Sequence, residues 1–270
     1  MTPELDVLIC TYGRAGLDRT SRMRLPEVEG VRYVVSWQTA GADPSDIPAA
    51  LVRRDILISP TESVGLSNNR NHAIAVAEAQ VCLIADDDLD YDKERLKAVI
   101  DTFAARPDLD LATFRYEGSD EKFYYESERD LTSRLPKNYY VTSFEIAFRR
   151  CAVQNKIFFN RHFGINSLRF GSGEEGIFLH DCRTQGLNCR YFPVTITRHP
   201  GLTTGNRPLT TKPLAQAEGA YVRYVYGLRG WPRVPLIAWR RYKARQMKLF
   251  WGLWHVMRGF LIKVPRETGL

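Results

Sequence analysis

The sequence predicts an α/β protein with a doubly wound, mixed but mainly parallel sheet, flanked by helices and followed by a C-terminal helical extension. Short apolar segments alternate with helical patterns, which is typical of strands buried on both faces of a sheet. The chain has 270 residues, 44% of them apolar, and is long enough to bury a complete core. Its last fifty residues are strongly basic and have a helical composition.

Five continuously apolar segments in the first half are predicted to be strands, because they lack the alternation of a half-exposed sheet. They are residues 5–10, 32–37, 55–59, 81–85 and 111–116.

Two helices are predicted between these strands. The first covers residues 67–79 and opens with Ser67, a residue type that caps helices. The second covers residues 93–105 and repeats its apolar residues at helical spacing.

Beyond about residue 118 the alternation is less regular. Residues 141–150 and 189–199 are predicted to be strands, and the segment "GSGEEGIFLHDCRTQG" is a glycine turn that leads into a helix. Residues 198–213 are rich in Gly, Pro and Thr and indicate a mobile loop. From Leu214 onward we expect two helices with a break at "GWPRVP".

The net charge of +7 resides in the C-terminal part of the chain. Residues 219–270 contain eleven Lys or Arg and one acid, which leaves about −3 for the rest. A nucleic-acid binder spreads its basic residues over the domain that contacts the ligand, so this class is not indicated.

The five cysteines are odd in number and form no CxxC pair, which argues against a disulfide framework or a zinc ribbon and favours a reducing compartment. The N-terminus has no basic region followed by an apolar one, so we expect no signal peptide.

Three successive carboxylates, Asp86, Asp87 and Asp88, follow the apolar segment "VCLIA". Adjacent carboxylates repel, so a cationic partner is expected. Two interpretations are equally weighted on the residues alone. The run of acids either stabilises the start of the next helix, or presents carboxylates two positions apart to a hard divalent cation.

The segment "GLSNNRN" places backbone amides and Arg70 at a helix start, which suits a phosphate group, although a capped helix with a surface arginine is equally consistent. Gly13 and Gly16 lack a third glycine at dinucleotide spacing. Since "TYGRAG", this helix start and the acidic run all follow strands, they are expected to converge at one edge of the sheet.

Glu174 and Glu175 lie at the start of a predicted helix. Acids are common there because they stabilise the helix, and a carboxylate on a glycine-flanked turn also suits a general base. His199 ends a predicted strand and is either a metal ligand or a structural residue.

Together, "DVLICTYGR", "GLSNNRNHAIAVAEAQVCLIADDDLDY" and "GSGEEGIFLHDCRTQGLNCRYFP" resemble the successive signatures of family 2 glycosyltransferases with the GT-A fold, over roughly residues 5–200. With "VVSWQT" and "EIAFRR", the pattern is most similar to bacterial enzymes of capsular, exopolysaccharide or O-antigen synthesis. The resemblance implies a catalytic domain over 1–213, with a nucleotide-sugar half to about 117 and an acceptor half from about 118, and a tail over 214–270.

The resemblance also implies roles for single residues. Glu175 stands where the family has an aspartate as catalytic base, and Glu174 precedes it. A divalent metal, Mn²⁺ or Mg²⁺, is implied at Asp88, Asp86 and His199. The positions implied to bind the nucleotide sugar are Thr11, Tyr12, Arg14, Gln38, Arg70, Asp86 and Asp87.

Ser36 and Gln38 stand where many relatives have an acidic cluster that helps recognise the base. The amide of Gln38 both donates and accepts, so it can still read uracil. The nucleotide stays open, with UDP favoured.

The implied activity is inverting transfer of a hexose or N-acetylhexosamine from a nucleotide sugar to a saccharide acceptor, which we expect to be lipid-linked, for instance to a polyprenyl carrier. The alternatives are a sugar-phosphate nucleotidyltransferase or an inactive nucleotide-sugar-binding protein of the same fold. A glycoside hydrolase needs neither the acidic run nor the arginine helix start.

The segment 236–264 combines a basic cluster with five Trp or Phe residues, and indicates an interfacial helix on an anionic membrane. Its longest uncharged run, residues 249–257, is far shorter than the roughly twenty apolar residues of a membrane span. We therefore expect a cytoplasmic protein that is peripheral on the inner face of the cell membrane. The alternative is a helix packed on the catalytic body or on a partner chain, and an oligomer stays open.

Overall fold

A computed structural model describes residues 3–118, 122–199, 209 and 211–268. One eight-stranded sheet forms the centre of the chain, with the order β3-β2-β1-β4-β7-β5-β8-β6. Its strands are β1 Leu5–Tyr12, β2 Val31–Gln38, β3 Ile56–Thr61, β4 Val81–Asp86, β5 Leu111–Gly118, β6 Arg129–Asp130, β7 Ile146–Arg149 and β8 Cys189–His199.

The sheet is mixed but mainly parallel, as predicted. The first four strands pair in parallel, and β5 pairs in parallel with β8. β7 lies antiparallel between β4 and β5, and β6 is antiparallel to β8. The five apolar segments predicted as strands are all strands. Four of them are largely buried on both faces of the sheet, whereas β3, at the edge, is only half-buried.

Helices cover both faces of the sheet. They are α1 Gly13–Thr20, α2 Leu66–Val76, α3 Lys93–Ala104, α4 Arg150–Val153, α5 Glu174–Thr184, α6 Lys212–Tyr226, α7 Arg233–Lys243 and α8 Leu249–Phe260. Leu17 of α1 and Phe103 of α3 share one core with alternate residues of β1 and β4. Ile74 of α2 and Phe178 of α5 share the core on the opposite face with the intervening residues.

Two local predictions in the catalytic part need correction. Ser67 does not cap α2, because the N-cap is Gly65 and the Ser67 hydroxyl, inside the helix, donates to the carbonyl of Phe163 at 2.7 Å. The strand predicted over 141–150 is only four residues long, because a 3₁₀ turn at Ser143–Glu145 precedes β7. Thr142 and Glu145 form a capping box that favours this turn.

The C-terminal extension contains three helices, not the predicted two. The break at "GWPRVP" separates α6 from α7, but a second break at residues 244–248 separates α7 from α8. Arg245 adopts a left-handed conformation there, with a φ of 57°. Neither Gly nor Pro marks this break, so the sequence pattern did not reveal it. The loop predicted over 198–213 lies largely outside the described residues.

Candidate active site

Side chains from distant parts of the sequence meet at one edge of the sheet. This edge holds the carboxyl ends of β1, β2 and β4, the end of β8, and the turn that precedes the antiparallel β7. The predicted convergence of the acidic run and the arginine helix start is confirmed here, and both lie beside the start of α5. Such an edge is where ligands of doubly wound sheets bind.

Each of the three successive aspartates faces a different basic residue. Arg70 Nη2 lies 3.3 Å from Asp86 Oδ1, and Arg19 Nη2 lies 2.8 Å from Asp87 Oδ2. The third, Asp88 Oδ2, lies 3.6 Å from the His199 imidazole Nε2. The repulsion expected within the acidic run is therefore offset at Asp86 and Asp87 by arginines from two different helices.

Asp87 also binds the end of β1. The Thr11 hydroxyl donates to Asp87 Oδ2 at 2.6 Å, on the same oxygen that Arg19 contacts. Arg19, in the last turn of α1, was not among the predicted site residues. In the sequence, Arg19 is only a basic residue near the end of the helix that begins within "TYGRAG". That position does not indicate a contact with Asp87.

Arg70 connects two predicted motifs through the interior. Its side chain is 1% exposed, and Nη1 donates to Glu174 Oε1 at 2.8 Å while Nη2 faces Asp86. The guanidinium also lies over the Phe159 ring, 5.3 Å from its centroid. The interpretation of Arg70 as a surface arginine on a capped helix is wrong, because the side chain is buried between two carboxylates.

The two glutamates at the start of α5 have different environments. Gly173 precedes them with a φ of 96°, a conformation that glycine adopts without steric cost. Glu174 is buried against Arg70. Burial, and then the charge of Glu174, raise the pKa of Glu175 to about 8, while Arg70 acts in the opposite direction. Glu175 therefore has the raised pKa of a carboxyl group suited to exchange a proton near neutral pH.

Asp88 and His199 form a pair of possible metal ligands. Burial, and then the neighbouring Asp86, raise the pKa of the Asp88 carboxyl. Phe144 stacks on the His199 ring, with centroids 5.5 Å apart and an interplanar angle of 16°. Over the described ranges of the chain, no group of three or more His, Cys, Asp or Glu residues is placed to hold a metal ion.

The remaining predicted positions differ in how they relate to this cluster. Tyr12 is half-exposed at the end of β1. Gln38 is buried, and its amide Nε2 donates to the carbonyl of Gly65 at 3.0 Å. Arg14 points away, because it pairs with Asp18 at 2.9 Å and with Asp46. Thr11, Arg70 and the acidic run are brought together, whereas Arg14 is not.

Ser36 is also buried, and its hydroxyl lies 2.8 Å from the His72 ring nitrogen Nδ1. The two side chains that stand in place of the acidic cluster therefore bind neighbouring parts of the fold. Ser36 contacts α2, and Gln38 contacts the loop between β3 and α2.

Two polar groups near the cluster were not predicted. The Ser143 hydroxyl lies 3.4 Å from both carboxylate oxygens of Asp86. Lys122 forms a buried ion pair with Glu145, and burial lowers the pKa of the lysine. The ring centroid of Tyr140 lies 4.4 Å from the lysine Nζ. Lys122 and Tyr140 lie in irregular segments, and Ser143 lies in the 3₁₀ turn before β7, so no local pattern indicated that these residues meet near the cluster.

Known proteins are similar to this chain in both sequence and fold. Residues 51–169 match the model of the family described as Glycosyl transferase family 2. The crystal structure of S. aureus TarS 1-349 in complex with UDP-GlcNAc is similar with a TM-score of 0.58 and 15% identity, covering 87% of this chain and 70% of that one. The crystal structure of S. aureus TarS 1-349 gives a TM-score of 0.56 at 16% identity, covering 87% of this chain and 69% of that one.

No curated protein sequence matches the chain. At such low identity the likeness to the solved structures shows a shared fold.

Proposed function

We propose that the chain is an inverting glycosyltransferase of family 2, because residues 51–169 match the model of that family and the chain shares the GT-A fold of the similar solved structures. In this proposal it moves a hexose or N-acetylhexosamine from a UDP-sugar to a hydroxyl group of a saccharide acceptor. The observation that carries the proposal is the position of Glu175, whose pKa is raised to about 8, at the helix start that Arg70 ties to the acidic run.

The donor would bind along the carboxyl ends of β1 and β4. Tyr12 offers a half-exposed ring beside the buried Thr11–Asp87 contact, which suits stacking against a nucleotide base. Asp86 and Asp87 would accept hydrogen bonds from the ribose. The TarS crystal structures with UDP and with UDP-GlcNAc support a uridine nucleotide as the donor group.

Glu175 would act as the general base. Its carboxylate takes the proton of the acceptor hydroxyl while the hydroxyl oxygen attacks the anomeric carbon. The carbon–oxygen bond to the nucleoside diphosphate breaks on the opposite face of the sugar, so a single displacement inverts the configuration. An α-linked donor then gives a β-linked product.

The residues at the end of the acidic run fit a divalent ion, Mn²⁺ or Mg²⁺. Asp88 Oδ2 and His199 Nε2, which lie 3.6 Å apart, would supply two protein ligands, and this small donor set leaves further ligands to phosphate oxygens. When bound, such an ion supplies positive charge that offsets the charge of the departing diphosphate. Arg70 and Arg19 hold Asp86 and Asp87 in place.

The acceptor in this proposal is a lipid-linked saccharide of bacterial surface polysaccharide synthesis, and the enzyme acts as a peripheral protein on the cytoplasmic face of the cell membrane. Support comes from the excess of basic residues over 219–270. None of the helices in the described ranges has the length and apolar character that crossing a membrane requires.

The proposal is tested by incubating the protein with a panel of UDP-, GDP- and CDP-sugars and Mn²⁺, and measuring release of the nucleoside diphosphate with and without lipid-linked saccharide acceptors. We expect release from at least one UDP-sugar, and loss of release when the metal is chelated. Binding of a nucleotide sugar without release under every condition would instead indicate an inactive binding protein.

A further inference from the structure

The outward side of α8 carries large apolar side chains in a line. Phe250, Trp254 and Leu261 are 84%, 62% and 72% exposed and are spaced by four and seven residues, so they lie along one face. The opposite side of the helix, with Val256 and Phe260, is buried against α6 and α7. Exposed aromatic residues in a line are unusual on a soluble surface and mark an interaction site.

Basic side chains accompany this line. Arg258 lies in it, and its guanidinium is 5.8 Å from the centroid of the Trp254 ring. Arg241 of α7 pairs with Glu218, but in the part of the chain that the structure describes, no carboxylate lies within ion-pair distance of five other basic side chains around α7 and α8. These are Arg240, Lys243, Arg245, Lys248 and Arg258.

The positive charge of this region favours an anionic lipid surface over a second copy of the chain as the binding partner of this face. Residues 219–270 contain eleven Lys or Arg and one acid, so a second copy of the same segment would bring like charge against like charge. An anionic lipid surface instead offers headgroups to the cations and an apolar layer to Phe250 and Trp254.

The three C-terminal helices pack closely. A Cβ on Gly219 of α6 would lie 1.8 Å from the carbonyl oxygen of Val256, and a Cβ on Gly259 of α8 would lie 1.9 Å from that of Gln216. The backbones of α6 and α8 therefore touch at these two glycines, which sets the direction in which the outer side of α8 faces.

The chain after α8 returns to the catalytic part. Asn160 Nδ2 donates to the carbonyl of Pro265 at 2.8 Å, and Arg161 pairs with Glu267 at 2.8 Å. The Tyr224 hydroxyl of α6 also donates to Asp181 of α5 at 2.8 Å. The first two contacts join the extension to the segment before α5, and the third joins it to α5 itself, the helix that carries Glu175.

We propose that the exposed line of α8 (Phe250, Trp254, Arg258 and Leu261) docks the protein onto an anionic lipid surface, and that the packing of α6 and α8 fixes the orientation of the active site on it. The docking proposal rests on the proposed function, which includes a membrane as a partner. It adds which side chains contact the lipid and how they are attached to the rest of the protein. The interfacial helix expected from the sequence is, in the structure, one face of a packed three-helix unit.

The test is flotation of the full chain with vesicles of phosphatidylcholine, alone or mixed with phosphatidylglycerol. The double variant Phe250→Ser with Trp254→Ser removes the aromatic side chains. Val52→Ser is the matched control, because Val52 is 71% exposed on the catalytic part. We expect wild type and control to float with the anionic vesicles, and the double variant to lose binding by on the order of tenfold or more. Added salt should weaken the binding that remains.

Equal flotation of the double variant and the wild type, or no flotation of the wild type, would overturn the proposal. Analytical ultracentrifugation of the same proteins tests whether a second copy of the chain covers this face instead. A dimeric wild type together with a monomeric double variant would assign the face to a second copy and overturn the proposal. Thermal melting checks that the variants are folded. Nucleotide-sugar turnover is measured separately without vesicles, so a failure of the proposed activity is distinguished from a failure of membrane docking.

Discussion

Arg70 donates to Glu174 across 2.8 Å although the two residues are 104 positions apart in the sequence. The pair is buried, and the same guanidinium faces Asp86 at 3.3 Å. It therefore holds the end of β4 and the start of α5 together. This contact, which no local pattern contains, sets the distance between the implied donor site and the implied base.

Replacing Arg70 with methionine should lower the free energy of unfolding by about 3–5 kcal/mol, because it leaves the buried carboxylate of Glu174 without its cationic partner. Arg95→Met is the control. Arg95 is a partly exposed residue that pairs with Glu117 at 2.7 Å, and its loss should cost about 1 kcal/mol or less. Urea denaturation measures both, and equal losses would contradict a structural role for the buried pair.

Glu175→Gln should reduce sugar transfer by roughly a hundred- to ten-thousand-fold, because glutamine cannot accept the acceptor proton. Donor binding, measured by calorimetry, should survive, since the amide keeps the shape of the side chain. Glu94→Gln is a matched control, as Glu94 also lies in the first turn of a helix and is exposed. Near-normal transfer by the Glu175 variant would exclude it as the base.

The pH dependence of transfer should follow Glu175. Its pKa is raised to about 8 by burial and by Glu174, and a base acts only when deprotonated. We therefore expect kcat/KM to rise about tenfold per pH unit below about pH 8 and to level off above it. A profile that is flat through neutral pH would contradict this.

The same raised pKa predicts a stability effect of definite sign. Because the carboxyl of Glu175 has a pKa of about 8 when folded, against an ordinary value of 4.5, the folded state binds this proton more tightly than the unfolded state. The protonated Glu175 carboxyl therefore contributes fully to the free energy of unfolding below pH 4.5, and this contribution is lost as the pH rises through about 8. Urea denaturation between pH 4.5 and 8 should show a smaller decrease in the free energy of unfolding for Glu175→Gln than for the wild type. An equal decrease in both proteins would contradict the raised pKa of Glu175.

Asp88→Asn should weaken Mn²⁺-dependent donor binding by at least on the order of tenfold, since an amide is a poorer ligand than a carboxylate. Asp92→Asn is the control from the same acidic segment. The Asp92 carboxylate accepts from the backbone nitrogen of Arg95 at 2.8 Å and caps α3, so its change should affect stability only, by about 1 kcal/mol or less. A Mn²⁺ titration of donor binding separates the two, and equal Mn²⁺ dependence in both variants would remove Asp88 from the metal site.

Much of the fold was predictable because its signals are local. Continuous apolar runs such as "VCLIA" are buried on both faces and form strands, and Asp92, directly before "KERLKAV", caps α3. The helix boundaries were less predictable where tertiary contacts competed. Ser67 binds the carbonyl of Phe163, which replaces the capping role its residue type predicts.

By itself, the sequence determined the first five strands and the two helices between them, the acidic run at the end of β4, the glutamate pair after a glycine turn, and the basic, aromatic composition of the C-terminus. Only the tertiary structure decided that Asp86, Asp87 and Asp88 meet Arg70, Arg19 and His199, and that the extension folds into three packed helices with α8 facing outward. The physical reason is that hydrophobic pattern and capping act over a few residues, whereas ion pairs and helix crossings depend on how the sheet brings distant segments together.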